Sequence, residues 1–259
     1  MMHKEVKGLV VRTTDIGESD RLITVFTEEE GLITARARGA RSFKSRKMSA
    51  TMQFCYSRFV LFSAADKYQV KEAELIESFF DIRKTVEGLA LAGYIAEVLD
   101  DTGIAEAEND LLRLALNSLY AISTAKYPLD KIKATFEIRA MAILGFMPDV
   151  LACSDCGEKN GDFYFDIMAG AMQCRKCRSV SESRRETISE PHESHIICIL
   201  TEGAKNAMAY SVYAPLVKVL SYSLSDEDLH LMSRACEEYL TNHLERSYRA
   251  LKFYNEVKR

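Results

Sequence analysis

Two Cys-x-x-Cys pairs, Cys153/Cys156 and Cys174/Cys177, stand seventeen residues apart and constrain this chain more than any other feature. Four thiolates at this spacing can close a tetrahedron around one Zn²⁺. The competing readings are two disulfides or scattered core cysteines. A set saturated by protein leaves no position for water or substrate, so the spacing predicts a structural metal rather than a catalytic one. Gly157 after the first pair suits a tight turn, and Phe163-Tyr164-Phe165 with Ala169-Gly170-Ala171 reads as a short hairpin between the pairs. The pattern is that of a zinc ribbon at about residues 150–180, in which metal replaces a core the segment is too small to build.

The remaining cysteines, Cys55, Cys198 and Cys236, are isolated in sequence and read as small buried hydrophobes. No run of about 18 apolar residues marks a membrane helix. Met1 to Lys7 lacks the apolar core of a signal peptide. The expectation is a reduced, cytoplasmic protein without a membrane partner. Its 259 residues suffice for one to three domains.

The first 80 residues are strand-like. Val6–Thr13 is apolar and β-branched, Asp15–Asp20 is a turn cluster, and Leu22–Thr27 and Leu32–Arg38 follow as strands. After a small-residue loop from Gly39 to about Ser49, Met52–Phe62 and Tyr68–Ile76 complete five strands, the signature of a small antiparallel barrel or sandwich. The alternation in Met52–Phe62 leaves open which face is core. Beyond Phe80 the period becomes helical, with stripes at Leu89/Ala92/Ile95/Leu99, Leu112/Ala115/Leu119/Ile122 and, after Pro128, Ile132/Phe136/Ala140/Ile143. Gly145 and Pro148 stop the third helix. Residues 178–195 read as a polar linker. From Ile196 the chain reads as helical again, ending in one long helix from Asp226 to about Glu256. The predicted division is a domain over 1–80 and a helical domain over 81–259.

The net charge of −4 conceals an asymmetry. Residues 31–71 carry nine Lys or Arg and one acid, a local +8, which leaves −12 for the rest. Arg36 and Arg38 alternate on one strand, and Arg41, Lys44, Arg46 and Lys47 continue the charge onto a loop expected to be flexible. Five-stranded barrels commonly bind nucleic acid across one face and its loops, with aromatic rings as stacking platforms. Phe43, Tyr56 and Phe59 are the candidates here.

Enzyme signatures are missing: the chain has no P-loop, no strand-linked G-x-G-x-x-G and no G-x-S-x-G elbow. His192-Glu193-Ser194-His195 is one residue short of H-E-x-x-H. Asp15, Glu18 and Asp20 could suggest a divalent-cation site but occupy a turn, where Asp is favoured anyway. These absences fit a protein that is not an enzyme.

In its order of parts the chain resembles the RecO family of recombination mediator and DNA repair proteins. The resemblance is carried by Val6-Lys7-Gly8-Leu9-Val10-Val11, Gly17–Thr27 followed by Gly31, Ala37-Arg38-Gly39-Ala40-Arg41 with Lys44-Ser45, Phe136-Glu137-Ile138-Arg139, Leu144-Gly145-Phe146-Met147-Pro148 and the four cysteines. It implies an α+β multidomain chain: an N-terminal OB-fold barrel, then an all-α domain with an inserted four-cysteine ribbon. It further implies binding of single- and double-stranded DNA, annealing of complementary strands, and loading of a recombinase onto coated DNA, all without use of a nucleotide, which fits the missing P-loop. The implied partners are a RecR-type mediator and a single-strand DNA-binding protein, at the bacterial nucleoid. Arg38, Arg41 and Lys44 match the family's basic motif, whereas Arg36, Arg46 and Lys47 rest on charge and proximity. Some relatives lack the cysteines, in keeping with a structural role. The alternative is a zinc-ribbon interaction factor for RNA or protein, accessory to transcription or translation.

Overall fold

The computed structural model describes residues 2–64, 67–102, 109–185 and 196–258. The chain divides into two compact units, one comprising Met1–Lys126 with Tyr248–Arg259 and the other Tyr127–Ser247. His192 and His195 lie outside the described residues.

The first unit is built on β1 (Met2–Ile16), β2 (Asp20–Thr27), β3 (Gly31–Ala37), β4 (Tyr56–Ala64) and β5 (Lys67–Glu77). They close in the order β1-β2-β3-β5-β4, with β1 antiparallel to both β2 and β4 and β3 parallel to β5. That is the OB-fold topology. Inward side chains alternate along each strand, and Val6, Val10, Ile23, Val25, Ile33, Ala35, Phe59, Leu61 and Val70 form one core. Gly8 has no room for a side chain: a Cβ there would stand 2.5 Å from Val25 and 2.6 Å from the Phe26 carbonyl. On β4 the inward face is Ser57, Phe59 and Leu61. The strand begins later than its sequence suggests. Phe54 adopts a left-handed φ of 66° and is buried, and the 52–55 stretch is a turn fastened to β1 by Val10 N–H to Cys55 O and Phe54 N–H to Val10 O, both 2.9 Å.

The same unit includes α1 (Val86–Thr102), α2 (Asn109–Thr124) and α7 (Arg249–Val257). Both α1 and α2 contact β1, and α7 packs along α1. There the Tyr94 and Tyr248 rings meet at 5.4 Å, and Glu97 accepts the Ala250 N–H at 3.0 Å. The expected single helix from Asp226 onward is therefore two. It breaks at Glu245, which has a φ of 52°.

The second unit holds α3 (Leu129–Ile143), β6 (Phe163–Asp166), β7 (Ala171–Cys174), α4 (Arg175–Arg185), β8 (Ile197–Leu200), α5 (Glu202–Tyr213) and α6 (Asp226–His243). The predicted hairpin is β6–β7. Two expectations change here. The segment read as linker begins as α4, and the segment read as helix from Ile196 begins as β8, which adds a third strand in the order β7-β6-β8. The inner face of this sheet is Phe163, Phe165, Met172 and Leu200, all fully buried. The ribbon thus has an apolar face as well as its cysteines. Thr201 and Ser225 cap α5 and α6 by accepting the N–H groups of Ala204 and Asp228 at 3.1 Å. No described helix is long and apolar enough to cross a membrane.

Candidate nucleic-acid interface and metal centre

The basic segment starts where β3 ends. Gly39 turns the chain with a φ of 64° and donates its N–H to Asp20 at 2.9 Å, and Arg41 N–H bonds Ser19 O at 2.9 Å. From there to Cys55 the backbone runs through successive turns rather than a flexible loop. Ala40, Ala50 and Thr51 are buried under it. Arg21 donates to Thr51 O at 3.3 Å, Thr51 to Lys47 O at 2.8 Å, and the Gln53 amide to Val11 O at 2.9 Å. These bonds fasten the backbone of the segment to the barrel, so the positions from which its cationic side chains extend are set by the fold.

The six predicted cations fall into two groups. Arg36 is paired with Asp20 at 2.7 Å and Arg41 with Asp15 at 3.2 Å, while the Arg41 guanidinium also donates to Gly17 O at 2.8 Å. Asp20 is held below the ordinary carboxylate range, first by the Gly39 N–H and then by Arg36. Arg38, Lys44 and Arg46 are exposed and make no hydrogen bond or ion pair among the described residues. Lys47 is half-buried and among the described residues reaches only the Val70 carbonyl, at 3.5 Å, with no acid beside it there. Four uncancelled cations therefore share one turn-built segment. Of the three candidate platforms, Phe43 is 96% exposed and lies between Arg41 and Lys44. Tyr56 is half-buried with its hydroxyl on Glu28. Phe59 is in the barrel core and cannot meet a base, because β4 turns its odd-numbered residues inward.

In the second unit the sulfurs of Cys153, Cys156, Cys174 and Cys177 all lie within 4.8 Å of one another, the only such cluster of ligand residues among those described. Cys156 and Cys174 are 3.7 Å apart. Metal–sulfur bonds of about 2.3 Å in a tetrahedron require an edge of about 3.8 Å, so the spacing fits a four-coordinate ion. The Cys174 N–H donates to Cys153 Sγ at 3.3 Å. Burial opposes ionisation of Cys153, but the N–H groups of Cys174, Cys156 and Asp155 outweigh it and draw the thiol down to about 7. Cys177 moves the other way, raised first by its hydrogen bond to Cys156 and then by burial. Four sulfurs this close cannot all carry charge unaided, and a bound divalent cation removes the conflict.

The family model described as Recombination protein O N terminal matches residues 1–79, and Recombination protein O C terminal matches residues 83–192. This chain belongs to the RecO family. It is 32% identical over 262 residues to the DNA repair protein RecO of Acetivibrio thermocellus, covering 100% of this chain and 99% of that protein. It is 33% identical over 174 residues to the DNA repair protein RecO of Bacillus pumilus, covering 67% and 68% respectively. That of Caldanaerobacter subterraneus is 24% identical over 254 residues, 98% of each.

Sequence reasoning missed the part played by two acids in this RecO-family chain. Asp15 and Asp20, considered above as cation ligands, are instead the partners of Arg41 and Arg36, and Asp15 also pairs with Arg21 at 3.4 Å. The available signal was the β1–β2 turn itself. A hairpin rich in Asp beside a strand ending in Arg brings the two together once β3 pairs with β2, where Arg21 stands opposite Ala37 and Leu22 opposite Arg36.

Proposed function

We propose that this chain is a recombination mediator of DNA repair that binds single- and double-stranded DNA on the barrel face carrying Arg38, Lys44, Arg46 and Lys47. The observation that carries this reading is the fixed, acid-free group of cations beside a fully exposed Phe43 in an otherwise acidic protein. Its relatives' name, DNA repair protein RecO, points the same way. Annealing of complementary strands, and recombinase loading together with a RecR-type mediator and a single-strand DNA-binding protein, are the activities such a face serves.

The mechanism is physical and no covalent step is involved. Lys and Arg neutralise phosphates and release condensed counterions. Two strands brought to one basic surface repel each other less and meet more often. Phe43 offers a base a flat apolar surface, which is tolerant of sequence. Arg36 and Arg41, held by carboxylates, serve the shape of the segment first. Cys153, Cys156, Cys174 and Cys177 would hold one structural Zn²⁺, which would tie the Cys153–Gly157 turn before β6 to the end of β7 and the start of α4. The soft, saturated sulfur set suits zinc and leaves no position for substrate.

The test is annealing of complementary oligonucleotides, bare and coated with single-strand DNA-binding protein, as salt is raised. About three to four phosphate contacts predict that log affinity for a single strand falls with log salt at a slope of about −2 to −3. Annealing that is absent at every salt concentration, or affinity indifferent to salt, overturns the reading.

A further inference from the structure

We propose that the two outer sulfurs of the four-cysteine site, Cys156 and Cys177, are a peroxide-oxidised pair whose disulfide expels the metal. This rests on the reading that the site holds zinc, and adds to it a modification site and its chemistry.

The observation is an inequality inside the cluster. Each Cys-x-x-Cys pair contributes one sealed and one accessible residue. Cys153 is 3% exposed and Cys174 7%, whereas Cys156 is exposed and Cys177 only half-buried. The local fold explains this. Cys174 ends β7 opposite Phe163, on the inner face of the sheet, and its N–H holds Cys153 Sγ against that same edge. The second residue of each pair is carried outward. Cys156 lies on the turn closed by the Gly157 N–H to Cys153 O at 2.9 Å, and Cys177 lies in the first turn of α4, beside the exposed Lys176. A saturated metal site is thus closed by coordination but open on one side to a small oxidant. Susceptibility of sulfur follows thiolate character and exposure. Metal-bound sulfur is thiolate, so exposure decides between the pairs.

The step balances with a hydroperoxide as oxidant. The Cys156 thiolate attacks the terminal peroxide oxygen. The O–O bond breaks, a sulfenic acid forms on Cys156, and hydroxide (or alkoxide) leaves. The oxidised sulfur is a poor zinc ligand, and coordination opens. The Cys177 thiolate then attacks the Cys156 sulfur, an S–S bond forms and a second hydroxide leaves. Two thiolates lose two electrons in all, the peroxide gains two, and two solvent protons turn the departing anions into neutral molecules. Both sulfurs already lie within 4.8 Å of each other, so a bond of about 2.05 Å needs side-chain motion only. Cys153 and Cys174 remain as sealed thiols. The ribbon keeps its sheet, because Phe163, Phe165, Met172 and Leu200 are buried independently of the metal. The change is therefore local and reversible by a thiol reductant with Zn²⁺.

The full chain, purified without oxidant, is first analysed for metal and then treated with hydrogen peroxide while a chromogenic chelator reports zinc release. Peptide mapping locates any disulfide. The expected result is one zinc released per chain with a Cys156–Cys177 disulfide, and recovery of metal binding after reduction. Cys156→His keeps a fourth ligand without an oxidisable sulfur and is expected to slow release at least tenfold. Should that variant fail to load zinc, the disulfide mapped in the unaltered chain decides. A chain purified metal-free overturns the zinc reading and this proposal with it. A zinc-loaded chain that keeps its metal through peroxide, or that forms its disulfide between Cys153 and Cys174, overturns the proposal alone.

Discussion

Lys133 and Lys44 are the same side chain in opposite circumstances. Lys133 is fully buried in the second unit, where it meets Glu137 at 3.1 Å, Glu237 at 2.8 Å and the Ser233 carbonyl and hydroxyl at 3.3 Å. Lys44 stands in solvent on the barrel's turn segment, with no acid paired to it among the described residues. The difference separates two uses of charge. A buried lysine must be matched by acids from its own fold, and once matched it has nothing left to offer a ligand. An exposed lysine held away from carboxylates contributes nothing to the fold and keeps its full charge for a polyanion. The same division runs inside the basic segment, between Arg36 and Arg41 on one side and Arg38, Lys44 and Arg46 on the other.

The largest effect is expected where the match is broken. Lys133→Met should cost about 3–5 kcal/mol in urea unfolding, because the fully buried Glu137 carboxylate loses its ion pair with the lysine. Adding Glu137→Leu should return most of that loss. A single variant as stable as the parent would mean that the pair is not confined as described.

Alkali should loosen the same unit. The Lys133 ammonium is opposed by burial, but Glu137 and Glu237 raise its pKa above the ordinary lysine value. Burial pushes the phenols of Tyr222 and Tyr239 up to about 12. All three bind their protons more tightly in the folded state. Their contribution is therefore complete below about pH 10, where unfolded tyrosine and lysine are still protonated; the share of the two tyrosines is lost as pH rises through about 12, and that of Lys133 as pH passes its raised folded value. Unfolding curves between those limits, read beside phenolate absorbance, check the direction.

On the exposed side, Arg38→Ala with Lys44→Ala and Arg46→Ala should weaken single-strand binding at least tenfold at low salt and flatten its salt slope by about 2, the share of three phosphate contacts. The unfolding midpoint should not move. An equal loss of binding and stability would erase the distinction drawn above. The smallest effect belongs to the border case. Asp20→Asn keeps an acceptor for the Gly39 N–H and frees the Arg36 charge, so DNA affinity should rise about two- to threefold, measured by fluorescence anisotropy. A fall would show that Asp20 matters through the placement of Arg36 rather than by cancelling it.

Much of this could be read from residues close together in sequence. The β-branched runs mark β1, β2 and β3, the cysteine spacing marks the ribbon, and the absence of acids between residues 31 and 65 marks the basic segment. What escaped depends on distance or on ambiguity. Ile197–Leu200 is a four-residue apolar run, and periodicity cannot tell so short a strand from the start of a helix. The stop at Glu245 has no glycine or proline to announce it. In α3 every residue from Lys131 to Ile138 is buried, so its charged residues share the core with an apolar stripe whose spacing alone does not reveal them. The pairing of Asp20 with Arg36 and the burial of Phe59 follow from strand register, which a single strand's pattern did not fix.

The position of α7 has a consequence for synthesis. The helix that packs along α1 comes after the whole of the second unit in sequence. As the chain leaves a ribosome, the barrel can close once β5 has emerged, but the face of α1 that meets α7 must wait for the roughly 150 residues between the two helices, about 7–30 s of elongation. During that interval Tyr94 and the neighbouring face of α1 lack the Tyr248 ring that later meets them. The second unit is continuous and can finish folding while the first is still open. An unfinished chain therefore carries its adhesive surface on the part made earliest, where a chaperone would find it.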